Sequence, residues 1–193
     1  SNLESSARIK SMSPTSITIH GGPDTPKYEA DVERYFHDHP HVDIAVRGEG
    51  EATFAEILEV LAGRVGHGPA DLSPLSDVAG LSFRLGDRIV TTPDRERISD
   101  LDSIPSPYLT GLFASLAAGP GRAAMIETNR GCPYGCTFCD WGSATNSRIR
   151  KFDLDRVFAE IEWCAVHHIE HVGLADANFG IFERDVLIAE KVA

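Results

Sequence analysis

Three closely spaced cysteines constrain this chain more than any other feature of its sequence. Residues 130–142 read Arg-Gly-Cys-Pro-Tyr-Gly-Cys-Thr-Phe-Cys-Asp-Trp-Gly and hold three of the four cysteines. Three residues separate Cys132 from Cys136, and two separate Cys136 from Cys139. Because the intervening glycines and proline disfavour a regular helix or strand, the sequence predicts a loop. Three thiolates on one loop can converge on one point.

The donor set indicates which centre would suit such a loop. Thiolates suit iron-sulfur clusters and zinc, and a cubane cluster held by three cysteines keeps one iron free for a substrate or cofactor. A zinc site would need a fourth protein ligand, whereas Cys164 falls in a helical pattern well downstream. A disulfide framework would leave a single further cysteine, in a chain unlike a small secreted scaffold. The residues favour an open iron-sulfur site, with a non-catalytic iron-sulfur or zinc-binding module as the alternative.

An aromatic residue, Phe138, stands directly before the last of the three cysteines. This arrangement resembles the radical S-adenosylmethionine (radical SAM) superfamily. The resemblance implies that Cys132, Cys136 and Cys139 hold a 4Fe-4S cluster whose fourth iron chelates SAM. It implies that Phe138 packs near the adenine of SAM. It also implies an external one-electron reductant of the flavodoxin or ferredoxin type.

Length and hydropathy indicate a globular protein. The 193 residues suffice for one or two domains, and the hydrophobic content of 42% can supply a core. No run of about 18 apolar residues and no basic-then-apolar leader occurs in the sequence, so we expect no membrane association. We expect a cytoplasmic protein, because cysteines stay reduced and oxygen-sensitive clusters persist there.

The charge balance argues against nucleic acid as a partner. The formal net charge is −11, which disfavours general binding to a phosphate backbone. Arg148, Arg150 and Lys151 form the one tight basic group. We interpret this group as a solvated turn, with contact to SAM or to another domain as the alternative.

Strands and helices alternate in the first third of the chain. The patterns predict strands at 16–20 and 42–46, a helix at 27–39 and another around 54–61 that Gly63 would end. Each strand runs into a glycine-rich turn. Such alternation predicts a parallel sheet, in which ligands bind at the carboxyl ends of the strands. His20, at the first strand end, is more typical of a packed or solvated histidine than of a cobalt ligand.

In company with the cysteine loop, the two glycine-rich turns resemble the cobalamin-binding domain that precedes the radical SAM domain in one large subgroup. The resemblance implies that they line the nucleotide tail of cobalamin through Gly21, Gly22, Pro23, Gly48, Glu49, Gly50 and Glu51. Only about the last two βα units of such a domain would be present, so we expect this sequence to be part of a longer protein.

A linker and a hairpin follow. Residues 64–76 have the composition of a linker, and strands at 80–85 and 88–91 flank a two-residue turn at Gly86 and Asp87. An extended arm at 104–108 and a short helix at 112–118 complete a region that resembles the connector of the same subgroup. We therefore predict three segments: the end of a cobalamin-binding domain at 1–63, a connector at 64–122 that bridges two domains, and the start of a radical SAM domain at 123–193.

The last segment alternates strands and helices again. A strand at 123–128 enters the cysteine loop, a helix capped by Asp153 follows, and Cys164 is expected to be buried on that helix. A second strand at 171–175 ends at Asp176 and Asn178, which are candidates for cofactor contact because polar residues at strand ends line the mouth of a βα barrel. Their alternative role is turn formation. A further helix is predicted at 184–193.

The predicted fold is α/β: the carboxyl-terminal half of a Rossmann-like cobalamin-binding domain, a β-hairpin connector and the first βα units of a partial (β/α)6 radical SAM barrel. The resemblance implies an enzyme that cleaves SAM to a 5′-deoxyadenosyl radical, and methylation of an unactivated carbon in a small-molecule or peptide natural product is the leading expectation. Residues 140–142 and 176–180 look similar to such methyltransferases. A rearranging or cyclising enzyme with the same cofactors is the alternative, and we do not expect turnover by this chain alone.

Overall fold

The computed structural model describes residues 1–26, 28–62, 71–114, 122–139 and 147–193. Tertiary contacts divide the chain into an amino-terminal unit, Ser1–Arg97, and a carboxyl-terminal unit, Ile98–Ala193. The division between the compact units therefore coincides with neither of the boundaries predicted at 63 and 122. Among the described residues, no helix combines the length and apolar character needed to cross a membrane.

The amino-terminal unit is a four-stranded mixed sheet with helices. Its sheet has the order β1-β2-β3-β4, with β1 parallel to β2 and each later neighbour antiparallel. The predicted strand-helix-strand alternation is confirmed, because α2 connects the two parallel strands. The elements are α1 (Asn2–Met12), β1 (Ile19–His20), α2 (Glu29–Asp38), β2 (Ile44–Val46), α3 (Gly50–Leu61), β3 (Leu81–Leu85) and β4 (Arg88–Thr91), with a 3-10 turn at Ser73–Asp77.

The predicted hairpin forms around Gly86 and pairs with the sheet of the amino-terminal unit, while its role as a connector stays a prediction. β3 pairs with β2, placing Phe83 opposite Ile44 and Leu81 opposite Val46. These four side chains are buried in one core with residues of α3. The reason is that the edge of β2 away from β1 would otherwise expose unpaired backbone groups. The hairpin thus extends the sheet of the amino-terminal unit.

The two parallel strands, β1 and β2, are shorter than the strands predicted at 16–20 and 42–46. The carboxylate of Asp43 accepts hydrogen bonds from the backbone N–H of Thr18 at 2.7 Å and from its hydroxyl at 3.0 Å. Side-chain bonds of this kind replace part of a regular ladder, so β1 begins only at Ile19. In α3, the apolar residues recur at helical spacing, but only Ile57 and Leu61 are buried. Phe54 and Leu58 are exposed. The predicted Gly63 stop lies outside the described residues.

The carboxyl-terminal unit contains a parallel β-α-β unit and a small second ladder. β5 and β8 are parallel neighbours with α4 between them in sequence, and β6 pairs antiparallel with β7. Asp153 caps α4 as predicted, accepting from the N–H of Asp155, and Cys164 is buried. The elements are β5 (Ala123–Ile126), β6 (Asn129–Arg130), β7 (Arg150–Lys151), α4 (Leu154–Val166), β8 (His171–Leu174) and α5 (Glu183–Val192).

One further expectation changes in the structure. The basic group is not a solvated turn, because Arg150 and Lys151 form β7 and pair with β6. Residues 2–12 form a helix whose first turn is closed by a capping box between Ser1 and Glu4. Parts of three predicted features lie outside the described residues: the start of the helix at 27, the helix at 115–118 and the Asp-Trp-Gly stretch at 140–142.

Candidate functional site

The cysteine loop is closed at its base by backbone pairing. β6 and β7 hold the two ends together, and beside them the N–H of Phe152 donates to the carbonyl of Thr128 at 3.1 Å. One step further into the loop, the N–H of Ser147 donates to the carbonyl of Cys132 at 2.7 Å, and the Ser147 hydroxyl accepts from the Cys132 N–H at 3.3 Å. Cys132 is therefore held through both of its backbone groups.

Gly131 allows the two ends of the loop to approach each other. Its φ is +110°, a conformation that residues with a Cβ rarely adopt. A Cβ at this position would lie 2.5 Å from the carbonyl oxygen of Arg148. Backbone geometry and close approach therefore both require glycine directly before the first cysteine.

The structure places the three predicted ligands on this loop with different exposures. Cys132 is buried, Cys139 is partly buried and Cys136 is exposed, and none of them forms a disulfide. The N–H of Cys139 donates to the carbonyl of Cys136 at 3.1 Å, which makes a tight turn between these two. Within the described ranges, no group of three histidine, cysteine or acidic side chains is arranged to hold a metal ion.

Phe138, the predicted neighbour of adenine, lies on the open side of the same loop. Its side chain is 90% exposed, the most exposed large hydrophobic residue described. An exposed phenylalanine ring offers an apolar face that a planar ligand can cover.

Asp176 lies at the base of the loop, directly after β8. Its Oδ1 accepts from the backbone N–H of Thr128 at 2.7 Å and of Asn129 at 3.2 Å. Its Oδ2 accepts from the Thr128 hydroxyl and from Asn129 Nδ2, the latter at 3.0 Å. Asp176 therefore accepts hydrogen bonds from Thr128 and Asn129, the two residues that precede Arg130. The sequence pattern predicts a different role for it, as a cofactor contact at the mouth of a barrel.

The two glycine-rich turns lie at one edge of the amino-terminal sheet. Because Ile19 and His20 pair in parallel with Ile44 and Ala45, the turns follow the strands at the same edge. A Cβ on Gly21 would lie 3.8 Å from Val46, so the first turn packs against the end of β2.

Open backbone is the shared property of these turns. Gly22 and Gly48 have φ of +93° and +73°, and a Cβ on either would have no neighbour within 4 Å. Gly21, Gly22, Pro23, Gly48 and Glu51 are exposed, and Glu49 directly precedes α3, which begins at Gly50. The structure confirms the predicted edge, while ligand contact remains a prediction.

Comparison with known proteins finds similar sequences over almost the whole chain. No protein-family model matches the chain. The chain is 42% identical over 190 residues to the cobalamin-dependent radical SAM methyltransferase TokK of Streptomyces tokunonensis, covering 96% of this chain and 26% of TokK. It is 42% identical over 191 residues to the 2-(S-pantetheinyl)-carbapenam-3-carboxylate methyltransferase of Streptantibioticus cattleyicolor, with the same shares. Over nearly its whole length the chain is therefore similar to a segment of cobalamin-dependent radical SAM methyltransferases. It spans about a quarter of the length of these relatives.

Solved structures of the family share the fold of this segment. OxsB with aqua-cobalamin and SAM bound superposes with a TM-score of 0.60 and 21% identity, covering 96% of this chain and 25% of OxsB. TsrM from Kitasatospora setae, with tryptophan and a SAM analogue bound, gives a TM-score of 0.64 and 18% identity, covering 98% of this chain and 35% of TsrM. This chain therefore shares its α/β fold with segments of two solved cobalamin-dependent or radical SAM enzymes.

Two other predicted site residues, His20 and Asn178, have different surroundings. The Nε2 of His20 lies 2.8 Å from the Ser6 hydroxyl, a contact typical of a packed histidine. The Nδ2 of Asn178 and the Oδ1 of Asn129 are buried without a hydrogen-bond partner in the part of the chain that the structure describes. Sequence reasoning did not single out Thr128, Asn129 or Ser147. Their only sequence signal is adjacency to the cysteines or to the loop's return strand.

Proposed function

We propose that the protein containing this chain is a cobalamin-dependent radical SAM methyltransferase. The observation that carries the proposal is the cysteine loop: three free cysteines lie on a single loop whose base is fixed by β6, β7 and Gly131. Three thiolates are the donor set of a 4Fe-4S cluster with one open iron, so the residues present fit that group.

The loop gives each cysteine a distinct part in holding the cluster. Cys132 is fixed through its backbone bonds to Ser147, so its sulfur starts from a defined position. Cys136 and Cys139 lie on the more accessible part of the loop, where a metal can draw them together because ligand arrangement and metal binding are coupled. When bound, the cluster and SAM supply the radical chemistry, and the chain supplies binding and orientation.

Phe138 and Asn178 would contact SAM, and the glycine-rich turns would contact cobalamin. The exposed ring of Phe138 would cover the adenine of SAM, and Asn178 would offer its unpartnered amide nitrogen to a SAM acceptor. In the amino-terminal unit, the open backbone at Gly22 and Gly48 would allow the nucleotide tail of cobalamin to approach closely. An external reductant of the flavodoxin or ferredoxin type and a cytoplasmic location belong to the same proposal.

Methylation of an unactivated carbon in a small-molecule or peptide natural product is the favoured reaction. Its support is the shared identity of 42% with two named methyltransferases, one of them named for a carbapenam substrate. A second reaction type has support as well, because an anaerobic magnesium-protoporphyrin IX monomethyl ester cyclase of Synechocystis is 31% identical over 176 residues. Detection of a methylated product with the full-length protein would separate methyl transfer from cyclisation or rearrangement.

The cluster is tested first, on anaerobically reconstituted full-length protein. We expect about four iron and four sulfide ions per chain. We also expect an electron paramagnetic resonance (EPR) signal of the reduced cluster that shifts when SAM is added. Alanine at Cys132, Cys136 or Cys139 should abolish cluster retention, because a cluster cannot close on two thiolates.

Cys164→Ala is the matched control. Cys164 is buried on α4, where burial and the nearby Glu160 raise the pKa of its thiol and disfavour the thiolate that a metal requires. Its replacement should leave iron content unchanged. Zinc in place of iron, an EPR signal indifferent to SAM, or cluster loss from Cys164→Ala in folded protein would contradict the proposal and favour a non-catalytic module.

A further inference from the structure

The carboxylate of Asp176 has no acceptor site left for a cofactor. An ionised carboxylate has about four lone-pair positions. The backbone N–H groups of Thr128 and Asn129 occupy two of them, and the Thr128 hydroxyl and the Asn129 side-chain amide occupy the others. All four donors belong to the two residues that lead into the cysteine loop.

These bonds continue the sheet past the end of its regular ladder. The last parallel pair joins Ile126 of β5 to Leu174 of β8, and the N–H of Ala175 still donates to the carbonyl of Ile126 at 2.9 Å. Beyond that point, the N–H groups of Thr128 and Asn129 donate to the Asp176 carboxylate and not to the backbone of a neighbouring strand. These two residues are 1% and 2% exposed, so water cannot replace the carboxylate.

The held residues are coupled to the first cysteine. The carbonyl of Thr128 accepts from Phe152, and Asn129 begins β6, whose partner β7 closes the loop. Gly131 and Cys132 follow within three residues, so a displacement at Asn129 passes directly to the fixed cysteine.

We propose that Asp176 is a positioning residue that sets the entry of the cysteine loop, and that it does not bind SAM directly. The inference rests on the proposed function only because one of its tests measures iron retention and the EPR signal of the cluster. It replaces the sequence-based interpretation of Asp176 as a cofactor contact, while Asn178 keeps that interpretation.

The spectroscopic test uses the reconstituted full-length protein before any SAM is added. Asp176→Ala should lower iron retention and alter or broaden the EPR signal of the SAM-free cluster, because the position of Cys132 is no longer fixed. If Asp176 contacted SAM instead, the SAM-free signal and iron content would match wild type and only the response to SAM would be lost. That outcome would overturn the inference.

Asp185→Ala is the matched control. Asp185 is another buried carboxylate of the same unit, and it accepts from the N–H groups of Gly180 at 2.8 Å and Phe182 at 3.0 Å. It lies in the first turn of α5, and within the described ranges it bonds neither Thr128 nor Asn129, so its loss should spare the SAM-free signal. An equal change in both variants would indicate general destabilisation and would count against a specific role for Asp176.

A reciprocal exchange provides a rescue. Asp176→Asn alone turns one acceptor into a donor facing the Asn129 amide nitrogen, so the two donors oppose each other. Combining Asp176→Asn with Asn129→Asp restores a donor-acceptor pair across the same gap. We expect the double variant to regain a SAM-free signal closer to wild type than either single variant does. A double variant no better than the singles would contradict direct pairing.

Amide hydrogen exchange on the iron-free protein separates this inference from the proposed function. Asp176→Ala should accelerate exchange at Thr128 and Asn129, and Asp185→Ala should not, whether or not a cluster can be assembled. If Asp176→Ala fails to fold, Thr128→Val serves instead, because it keeps the side-chain shape and removes one of the four donors. Unchanged exchange at Asn129 in either variant would overturn the inference.

Discussion

At the scale of single residues, backbone conformation decides what can stand before the first cysteine. Gly131 combines a φ of +110° with a Cβ position only 2.5 Å from the Arg148 carbonyl oxygen. A side chain there must strain the backbone and push the return strand of the loop away. The glycines of the cysteine loop are therefore not equivalent, although the sequence pattern treats them alike.

We expect Gly131→Ala to open the base of the loop. The backbone conformation alone should cost about 1–3 kcal/mol, and relief of the contact with Arg148 should separate β6 from β7. Faster amide exchange at Ser147 and Cys132 in the iron-free protein, and reduced iron retention after reconstitution, would report this change.

Gly135→Ala is the control for that substitution. Gly135 lies between the first two cysteines, and a Cβ there would have no neighbour within 4 Å among the residues that the structure describes. Its replacement should leave exchange at Ser147 and Cys132 near wild type. If both alanine variants behaved alike, the close approach at Gly131 would not be what closes the loop.

At the scale of elements, a tyrosine of the extended arm at 104–108 supports β5 in the carboxyl-terminal unit. The Tyr108 hydroxyl donates to the carbonyl of Met125 at 2.7 Å and accepts from its N–H at 3.1 Å. Burial raises the pKa of Tyr108, so the hydroxyl stays protonated and can donate. One side chain thus pairs both backbone groups of Met125 in the middle of β5.

Tyr108→Phe should destabilise β5 with little change in packing. The ring also lies against Phe113 and Trp163, at centroid distances of 5.4 and 5.0 Å, and phenylalanine can keep those contacts. Loss of the hydroxyl leaves two backbone groups unpaired, for which we expect a cost of about 1–3 kcal/mol in the free energy of unfolding. Chemical denaturation followed by circular dichroism measures it.

Tyr134→Phe supplies the comparison, because the Tyr134 side chain is 52% exposed. Its denaturation midpoint should stay near wild type. Equal midpoints for Tyr108→Phe and wild type would show that water or another group replaces the hydroxyl at Met125.

Local patterns predicted the elements better than their pairing. Helical periodicity located α2, α3 and α4, and the Gly86-Asp87 signal located the hairpin turn. Such patterns involve residues that are close together in the chain, so they can be recognised in a single sequence. The docking of β3 onto β2 joins residues such as Val46 and Leu81, which lie far apart in the chain, and composition does not encode that choice. The Asp43 bonds that shorten β1 escaped prediction for the same reason.

The candidate site shows the same division at the scale of the whole molecule. Cysteine spacing identified the loop, and strand-end glycines identified one edge of the amino-terminal sheet. The Asp176 bonds span 48 and 47 residues, and they depend on the register between β5 and β8. A sequence alone shows an aspartate after a strand. Only the register between β5 and β8 shows which backbone N–H groups donate to its carboxylate.

Two compact units also imply that a perturbation in one can leave the other folded. The amino-terminal unit contains His20, His39 and His41, whose neighbouring rings lie 5.8 to 6.3 Å apart. Burial lowers the pKa of His20, and the nearby histidines lower it further. Burial also lowers the pKa of His41, together with His39 and Arg84, against an opposing effect of Asp43.

Acid should therefore destabilise the amino-terminal unit. Folded His20 and His41 resist protonation, whereas in the unfolded chain they take up protons near the ordinary pKa of 6.5. Well above pH 6.5 these two histidines do not change the free energy of unfolding, and they lower it as the pH falls through 6.5. Amide exchange of the intact chain, corrected for intrinsic rates, should show faster opening of Ser1–Arg97 at about pH 5 than at about pH 7.

The histidines are tested by replacing them together. His20→Gln keeps a hydrogen-bonding group for Ser6, and His41→Asn removes the second titrating ring. Because neither new side chain titrates in this range, the double variant should flatten the pH dependence of the amino-terminal unit. The exchange of Ile98–Ala193 should keep its wild-type pH dependence, since the substitutions lie in the other unit. An undiminished acid response in Ser1–Arg97 would assign it to groups other than these two histidines.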